Sequence, residues 1–328
     1  MRLLNENDQA LMEAASRLAG EAVVTLVSAG AGANSHVLRV TTPTRTLGLK
    51  CYPHRPGDPR DRLDVEWRAL RFLRGMGIAA VPAALGRDDG NRLMLMEWIE
   101  GELVSTHGPA DIDAAARFIA NVFHGSTTPH ATGFTLASEA CLSVHEINRQ
   151  IEARLAAVTP HPMLRTFLDD TFLPTFAAVR SRIALELDDR RDLPVSLRRL
   201  IPADFGFHNA LRQPDGRLRF VDFDYFGWDD PVKMTADFVL HPAMSLGAAE
   251  KLSLVAQLAA AVPEDTTFLD RLAAHKPLYA LRWALILLNP FRFDRTEVFP
   301  DPQPERRLEM QIEKAERMCA LARRDDID

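Results

Sequence analysis

Near residue 110 the hydrophobic period of this chain changes, and few folds accommodate such a change. Upstream, residues 21–29 (EAVVTLVSA), 36–42 (HVLRVTT), 46–52 (TLGLKCY) and 92–99 (RLMLMEWI) are short and rich in β-branched and apolar side chains. Turn residues separate them, which is the pattern of strands. Residues 1–20 read as an amphipathic helix and 58–76 as a second one. Downstream, apolar positions recur at three- and four-residue spacing over 112–124, 137–158, 163–188, 232–245, 248–261, 267–288 and 304–323, the signature of helices. One hairpin interrupts them: 209–213, a Pro214-Asp215-Gly216 turn, then 217–222. The expectation is an α+β chain with two lobes: a small antiparallel sheet with one packed helix over 1–98, a connector near 98–102, and a larger, mainly helical part over 99–328.

Composition narrows the function classes. Of 328 residues, 47% are hydrophobic and 26% charged, enough for a large core without covalent staples. The net charge is −6 and Lys and Arg form no long run, which argues against a nucleic-acid partner. The N-terminal stretch lacks the apolar core of a signal peptide. The most apolar later stretch, 277–289, contains Arg282 and is well short of the ~20 residues that span a bilayer. Cys51, Cys141 and Cys319 are widely spaced and odd in number, without metal-ligand spacing or a disulfide framework. A reducing, cytoplasmic location without membrane attachment is the expectation.

The segment 200–224, LIPADFGFHNALRQPDGRLRFVDFD, carries the most chemistry. Asp204 and Asn209 stand five apart in a loop, and Asp222 and Asp224 leave the second strand of the hairpin. Each has an ordinary explanation as a turn former or cap. Together they make an oxygen-rich site of the kind Mg²⁺ uses when carboxylates and substrate phosphates share it. Asp222 also sits inside the apolar run Phe220-Val221-Asp222-Phe223, where a carboxylate needs a cation or donors nearby.

On the strand 46–52, Gly48, Lys50 and Tyr52 share one face. Lys50 thus stands beside a residue without a side chain, leaving flat space for a ring two positions from a cation. A solvated strand face is the plain alternative. In the helix 58–76, however, Glu66 lies in a stripe with Leu63, Leu70 and Leu73, and Lys50 is its natural partner. Gly30-Ala31-Gly32-Ala33-Asn34-Ser35 joins the first two strands. Its glycines would let backbone N–H groups approach phosphate oxygens, although a GxG between strands is by itself only a turn.

In this order the residues resemble the aminoglycoside phosphotransferase and choline kinase family, small-molecule relatives of protein kinases. The likeness covers about 20–245: the glycine turn, Lys50, Glu66, the connector Met96-Glu97-Trp98-Ile99-Glu100-Gly101, Asp204 with Asn209, Asp222-Phe223-Asp224, and Asp229-Asp230-Pro231 with Asp237. It implies a protein-kinase-like fold and Mg²⁺-dependent transfer of the γ-phosphoryl group of ATP or GTP to a small-molecule hydroxyl. Asp204 matches the catalytic base, and Asn209 and Asp222 the metal ligands, with Asp224 as a second acid at that site. Lys50, held by Glu66, matches the α/β-phosphate contact. Gly30, Gly32 and Ser35 belong to the phosphate turn, the backbone of Glu97, Trp98 and Ile99 matches the hinge that reads the purine, and Asp237 matches an acid that braces the catalytic loop.

One departure is visible. The family has His two positions before the base, whereas this chain reads Pro202-Ala203-Asp204. That bears on loop rigidity more than on proton transfer, and Pro202 fixes its own φ. The rival readings are a nucleotide-binding regulatory module without turnover and a haloacid-dehalogenase-type phosphatase opening at Asp222-Phe223-Asp224. The second leaves Lys50, Glu66, Asp204 and Asn209 unexplained. Asp229 and Asp230 could face an ammonium group, but with Pro231 behind them they read better as helix caps.

Overall fold

The computed structural model describes residues 6–31, 35–54, 60–184, 191–292 and 304–324. The chain runs through α1 (Glu6–Ala19), β1 (Thr25–Ala31), β2 (His36–Thr41), β3 (Thr46–Cys51), α2 (Arg62–Gly75), β4 (Ala84–Asp88), β5 (Leu93–Glu97), β6 (Glu102–Leu103) and α3 (Pro109–Gly125). It continues through α4 (Val144–Ala156), α5 (Pro162–Phe167), α6 (Leu173–Ala184), β7 (Arg199–Ile201), β8 (Ala210–Arg212), β9 (Leu218–Phe220) and β10 (Gly227–Asp229). Four further helices follow: α7 (Pro231–Leu240), α8 (Ala248–Ala260), α9 (Phe268–Leu287) and α10 (Pro304–Ala322). The chain divides into two compact units, 1–138 with 200–227, and 139–199 with 228–328.

In the first unit, five strands form an antiparallel sheet in the order β1-β2-β3-β5-β4. Its two faces differ because side chains alternate along each strand. Leu47, Leu49, Leu93 and Leu95 point to one face and join Ala14, Ala15 and Ala19 of α1 in a buried core. Burying each leucine contributes about 1.5–3 kcal/mol. Gly48 and Lys50 pair with Met96 and Met94 on the other face, toward α2. Asp61 caps α2 by accepting from the Asp64 amide, and Leu63, Glu66, Leu70 and Leu73 are its buried stripe. The connector after β5 leads into β6, which pairs with β8 of the β8–β9 hairpin. A Cβ on Gly101 would lie 2.8 Å from the Arg212 carbonyl oxygen, so only glycine fits where the connector crosses the hairpin.

The second unit is helical. Within it α9 is the central element, with α4, α6, α7 and α10 packed on it. Asp230 caps α7 through the Val232 amide, as the Asp-Pro pair predicts. No described helix is long and apolar enough to cross a membrane. Cys51, Cys141 and Cys319 are free thiols.

The α+β class, the N-terminal antiparallel sheet and the helical remainder follow the sequence expectation. The short strands β6, β7 and β10 were not expected, the helix expected from 137 starts at Val144, and three further details differ. Strand β4 was not foreseen, because Ala84, Leu85, Gly86, Arg87 and Asp88 include no β-branched residue; pairing with β5 overrides that weak propensity. The strand expected over 21–29 starts at Thr25 and runs on through Gly30 and Ala31, where Ala31 pairs with His36. The helix expected over 163–188 is α5 and α6 joined by one wider π turn at Leu168–Phe172, with 185–188 outside the described residues.

Candidate active site

Lys50 is 2% exposed, so its ammonium must be compensated by side chains. Its Nζ donates to Glu66 Oε2 at 2.5 Å and to Asp222 Oδ1 at 2.7 Å. Burial opposes the charge on Lys50, but Glu66 and then Asp222 outweigh it and hold the ammonium well above its usual pKa. Glu66, itself 1% exposed, also accepts from the Tyr52 hydroxyl at 2.8 Å and, through Oε1, from the Phe223 amide at 3.2 Å. One carboxylate on α2 thus ties β3 to the segment that carries Asp222.

Asp222 adopts φ +69°, a left-handed backbone that costs roughly 1–2 kcal/mol for a residue with a Cβ. Its side chain keeps 38% exposure, unlike its neighbours, and among the described residues its Oδ2 makes no hydrogen bond. Asp224 differs. It is 2% exposed, and its Oδ2 receives the Arg62 guanidinium at 2.6 Å. Burial and then the charge of Asp222 push its pKa up to about 7, against the pull of Lys50 and Arg62. Three carboxylates (Glu66, Asp222, Asp224) therefore share two cations (Lys50, Arg62), and of the three only Asp222 reaches solvent.

The loop with Asp204 follows β7. Ala203 takes φ +56°, and Phe205 donates its amide to the Ala203 carbonyl, so the loop turns sharply at the aspartate. The Asp204 side chain is half exposed. Aromatic anchors hold the loop: Phe205 stacks on Phe118 at 5.0 Å with the rings 5° apart, and Phe207 stacks on His107 at 4.9 Å. His208 Nε2 lies 3.3 Å from Asp204 Oδ1. Asn209 donates from Nδ2 to the Asp204 carbonyl at 2.8 Å, and its own carbonyl accepts the Val221 amide at 2.9 Å. The loop and the Asp222 segment are thus hydrogen-bonded neighbours. Asn209 Oδ1 and Asp222 Oδ2 remain as oxygen acceptors, a donor set that suits a hard divalent cation.

At the connector, the Glu97 carboxylate accepts from the Ala83 amide and from Arg219, each at 3.0 Å. Arg39 lies 5.3 Å over the Trp98 ring, and Ile99 is buried. The Met96 side chain lies over Gly48: a Cβ there would meet it at 3.2 Å. It therefore shares the flat space expected above Gly48. Gly30 lies in β1 opposite Val37, Ser35 is buried just before β2, and Gly32 lies outside the described residues. In the second unit, Asp237 receives Lys233 Nζ at 2.8 Å and Trp283 Nε1 at 2.9 Å.

Sequence reasoning missed Tyr52, Arg62, Phe205, Phe207 and His208. For Tyr52 a signal existed, since it directly follows β3 and continues the alternation of Gly48 and Lys50. Nothing local announces the pairing of Arg62 with Asp224.

A family model described as the phosphotransferase enzyme family matches residues 25–266. The chain belongs to that family. A comparison of the sequence with curated proteins gives no match. Among solved structures, the choline kinase LicA from Streptococcus pneumoniae is 17% identical, with a TM-score of 0.64 over 97% of this chain and 100% of that one. Spectinomycin phosphotransferase APH(9)-Ia, in complex with ADP and spectinomycin, is 11% identical, with a TM-score of 0.65 over 98% of each chain. A choline/ethanolamine kinase family protein from Mesorhizobium loti gives 17%, 0.55, 94% and 98% in the same order. Membership makes this protein a phosphotransferase, and its fold is that of small-molecule kinases.

Proposed function

We propose that this phosphotransferase moves the γ-phosphoryl group of ATP or GTP onto a hydroxyl of a small molecule in an Mg²⁺-dependent reaction in the cytoplasm. The observation that carries the reading is the Lys50–Glu66–Asp222 cluster, in which a buried ammonium is shared between a buried carboxylate and one that reaches solvent. The nucleotides in several neighbours, ADP, AMP and AMP-PNP, support the donor class.

In this reading residues 1–98 supply most of the nucleotide site and 99–328 the catalytic loop, metal site and acceptor-binding helices. Lys50, fixed by Glu66, holds the α/β-phosphates. The turn with Gly30, Gly32 and Ser35 covers them, and the backbone of Glu97, Trp98 and Ile99 reads the purine edge. Asn209 and Asp222 hold the metal ion, with Asp224 behind Asp222. When bound, that ion neutralises charge on the transferring phosphoryl group. Asp204 orients the acceptor hydroxyl and takes its proton. Phosphoryl transfer is mostly positioning and charge neutralisation, so these residues are a sufficient set.

The neighbours' names include choline, spectinomycin and hygromycin B, so aminoglycoside-like and choline-like alcohols are the first acceptors to try. The test is transfer of label from γ-labelled ATP and GTP into pools of amino alcohols, aminocyclitols and other hydroxyl compounds. Label in one pool, absent with Asp204→Asn, is the expected result. Mg²⁺–nucleotide binding without transfer to any pool would favour a regulatory module. No nucleotide binding would overturn the reading.

A further inference from the structure

Helix α2 buries Leu63, Glu66, Leu70 and Leu73 on one side. Its other side, with Trp67, Arg68, Arg71, Phe72 and Gly75 and the capping residue Met76, lines an open cavity of about 460 Å³, bounded across from the helix by His130 and Phe134. That volume lies within the roughly 300–1,000 Å³ typical of small-molecule sites.

The lining has a definite chemical character. No carboxylate belongs to it. The Arg68 guanidinium lies 5.0 Å over the Phe134 ring and donates to the Gly133 carbonyl; its carboxylate neighbour, Asp64, is 3.7 Å away. The Arg71 guanidinium lies 5.5 Å over the Trp67 ring, which Arg87 also meets at 5.7 Å, and among the described residues no carboxylate comes within 4.0 Å of Arg71. Two arginines three positions apart share a helix face, and their planar forks match an anionic group better than an ammonium would. Trp67, Phe72 and Phe134 supply apolar ring surface beside them.

We propose that this cavity binds a small aromatic anion. Its carboxylate, sulfonate or phosphate sits between Arg68 and Arg71, and its ring lies against Trp67 and Phe134. Occupancy also reaches the phosphate-holding cluster. Phe134 packs on Phe72 at 5.3 Å and on Phe226 at 5.1 Å, four residues beyond Asp222, while α2 carries Glu66. Arg68 and Phe72 already join α2 to the 129–134 segment, and a ligand between them adds to that bridge and steadies the helix that positions Lys50, so nucleotide binds more tightly in its presence. This second step rests on the kinase reading above; the binding does not.

The test uses the full chain and naphthalene-1-sulfonate in a calorimetric titration, with the neutral naphthalene-1-sulfonamide as control. One saturable site is expected, at least tenfold weaker for the sulfonamide and for Arg71→Glu, whose exposed position leaves the thermal melt unchanged. No saturable binding, equal affinity for the two proteins or the two probes, or displacement of the sulfonate by MgATP would overturn the site. In a second arm, MgATP is titrated with and without saturating sulfonate, and a severalfold gain in nucleotide affinity is expected. An unchanged affinity would overturn the coupling. Absence of nucleotide binding under all conditions would count against the proposed function and leave the sulfonate arm to be judged alone.

Discussion

Two buried ion clusters in this chain have opposite balances of charge. In the first unit, Glu66, Asp222 and Asp224 face Lys50 and Arg62, one positive charge too few, and Asp222 stays open to solvent. In the second, Glu139, Asp229 and Asp237 meet Arg154, Lys233 and Arg282 in equal number. There Arg282 donates to Glu139 at 2.5 Å and to Gln150 at 2.9 Å. The balanced network holds helices together, with Glu139 as its solvent-facing member. A cluster with more carboxylates than cations is, in the reading proposed above, the one that takes up the metal ion.

The largest effect that separates the two is catalytic. Asp204 lies in the loop beside the open cluster, so Asp204→Asn removes the proposed proton acceptor and keeps the shape. We expect kcat to fall by roughly 10²–10⁴-fold, the usual contribution of a general base, with the Mg²⁺–nucleotide dissociation constant nearly unchanged. Near-normal kcat in a steady-state assay with the identified acceptor would assign the base elsewhere. The next effect is on stability. Arg282→Met takes a donor from Glu139 and from Gln150 while Arg154 still holds Glu139, and should cost about 1–3 kcal/mol, read from urea unfolding. A loss below 1 kcal/mol would mean the network is not what holds α9.

A third measurement sharpens the contrast through pH. His275, on α9, is buried beside Arg271, and burial followed by that charge lowers its pKa to about 4. The unfolded chain, with His near 6.5, then binds the extra proton first. Folding stability therefore falls as pH drops from 6.5 to 4, by about 3 kcal/mol at most. Asp229 and Asp230, raised by burial to about 6, act in the opposite sense, costing stability as pH rises from about 4 to 6. The difference in Tm between wild type and His275→Gln isolates the histidine. It should change steadily between pH 6.5 and 4, and a constant difference would show that His275 is not held neutral.

The sequence made the open cluster more legible than the balanced one, for a physical reason. Lys50 is marked by strand alternation, Glu66 by helical spacing among leucines, and Asp204, Asn209, Asp222 and Asp224 by one short segment. Each signal is local. The balanced network joins Glu139 to Arg282 and Asp229 to the Cys141 amide, contacts between distant segments that no period announces. The same limit hid Arg62, so Asp224 read only as a metal-site acid, although its Oδ2 is engaged by a guanidinium. Strand β4 escaped because tertiary pairing, not propensity, makes it.

The smallest expected effect tests the comparison most directly. Asp222→Asn removes one of three like charges from the open cluster, and its carboxylate is partly solvated, so the lost attraction to Lys50 is offset by relieved repulsion with Asp224. Without metal or nucleotide, its unfolding free energy should stay within about 1 kcal/mol of wild type, since exposed and half-exposed pairs are worth no more. With Mg²⁺ and nucleotide at 100 times the wild-type dissociation constant, the wild type should gain about 2.7 kcal/mol and the variant far less. A variant that loses several kcal/mol in the free state would place Asp222 with the structural charges of the second cluster. A variant that keeps the full ligand-induced gain would move the cation away from Asp222.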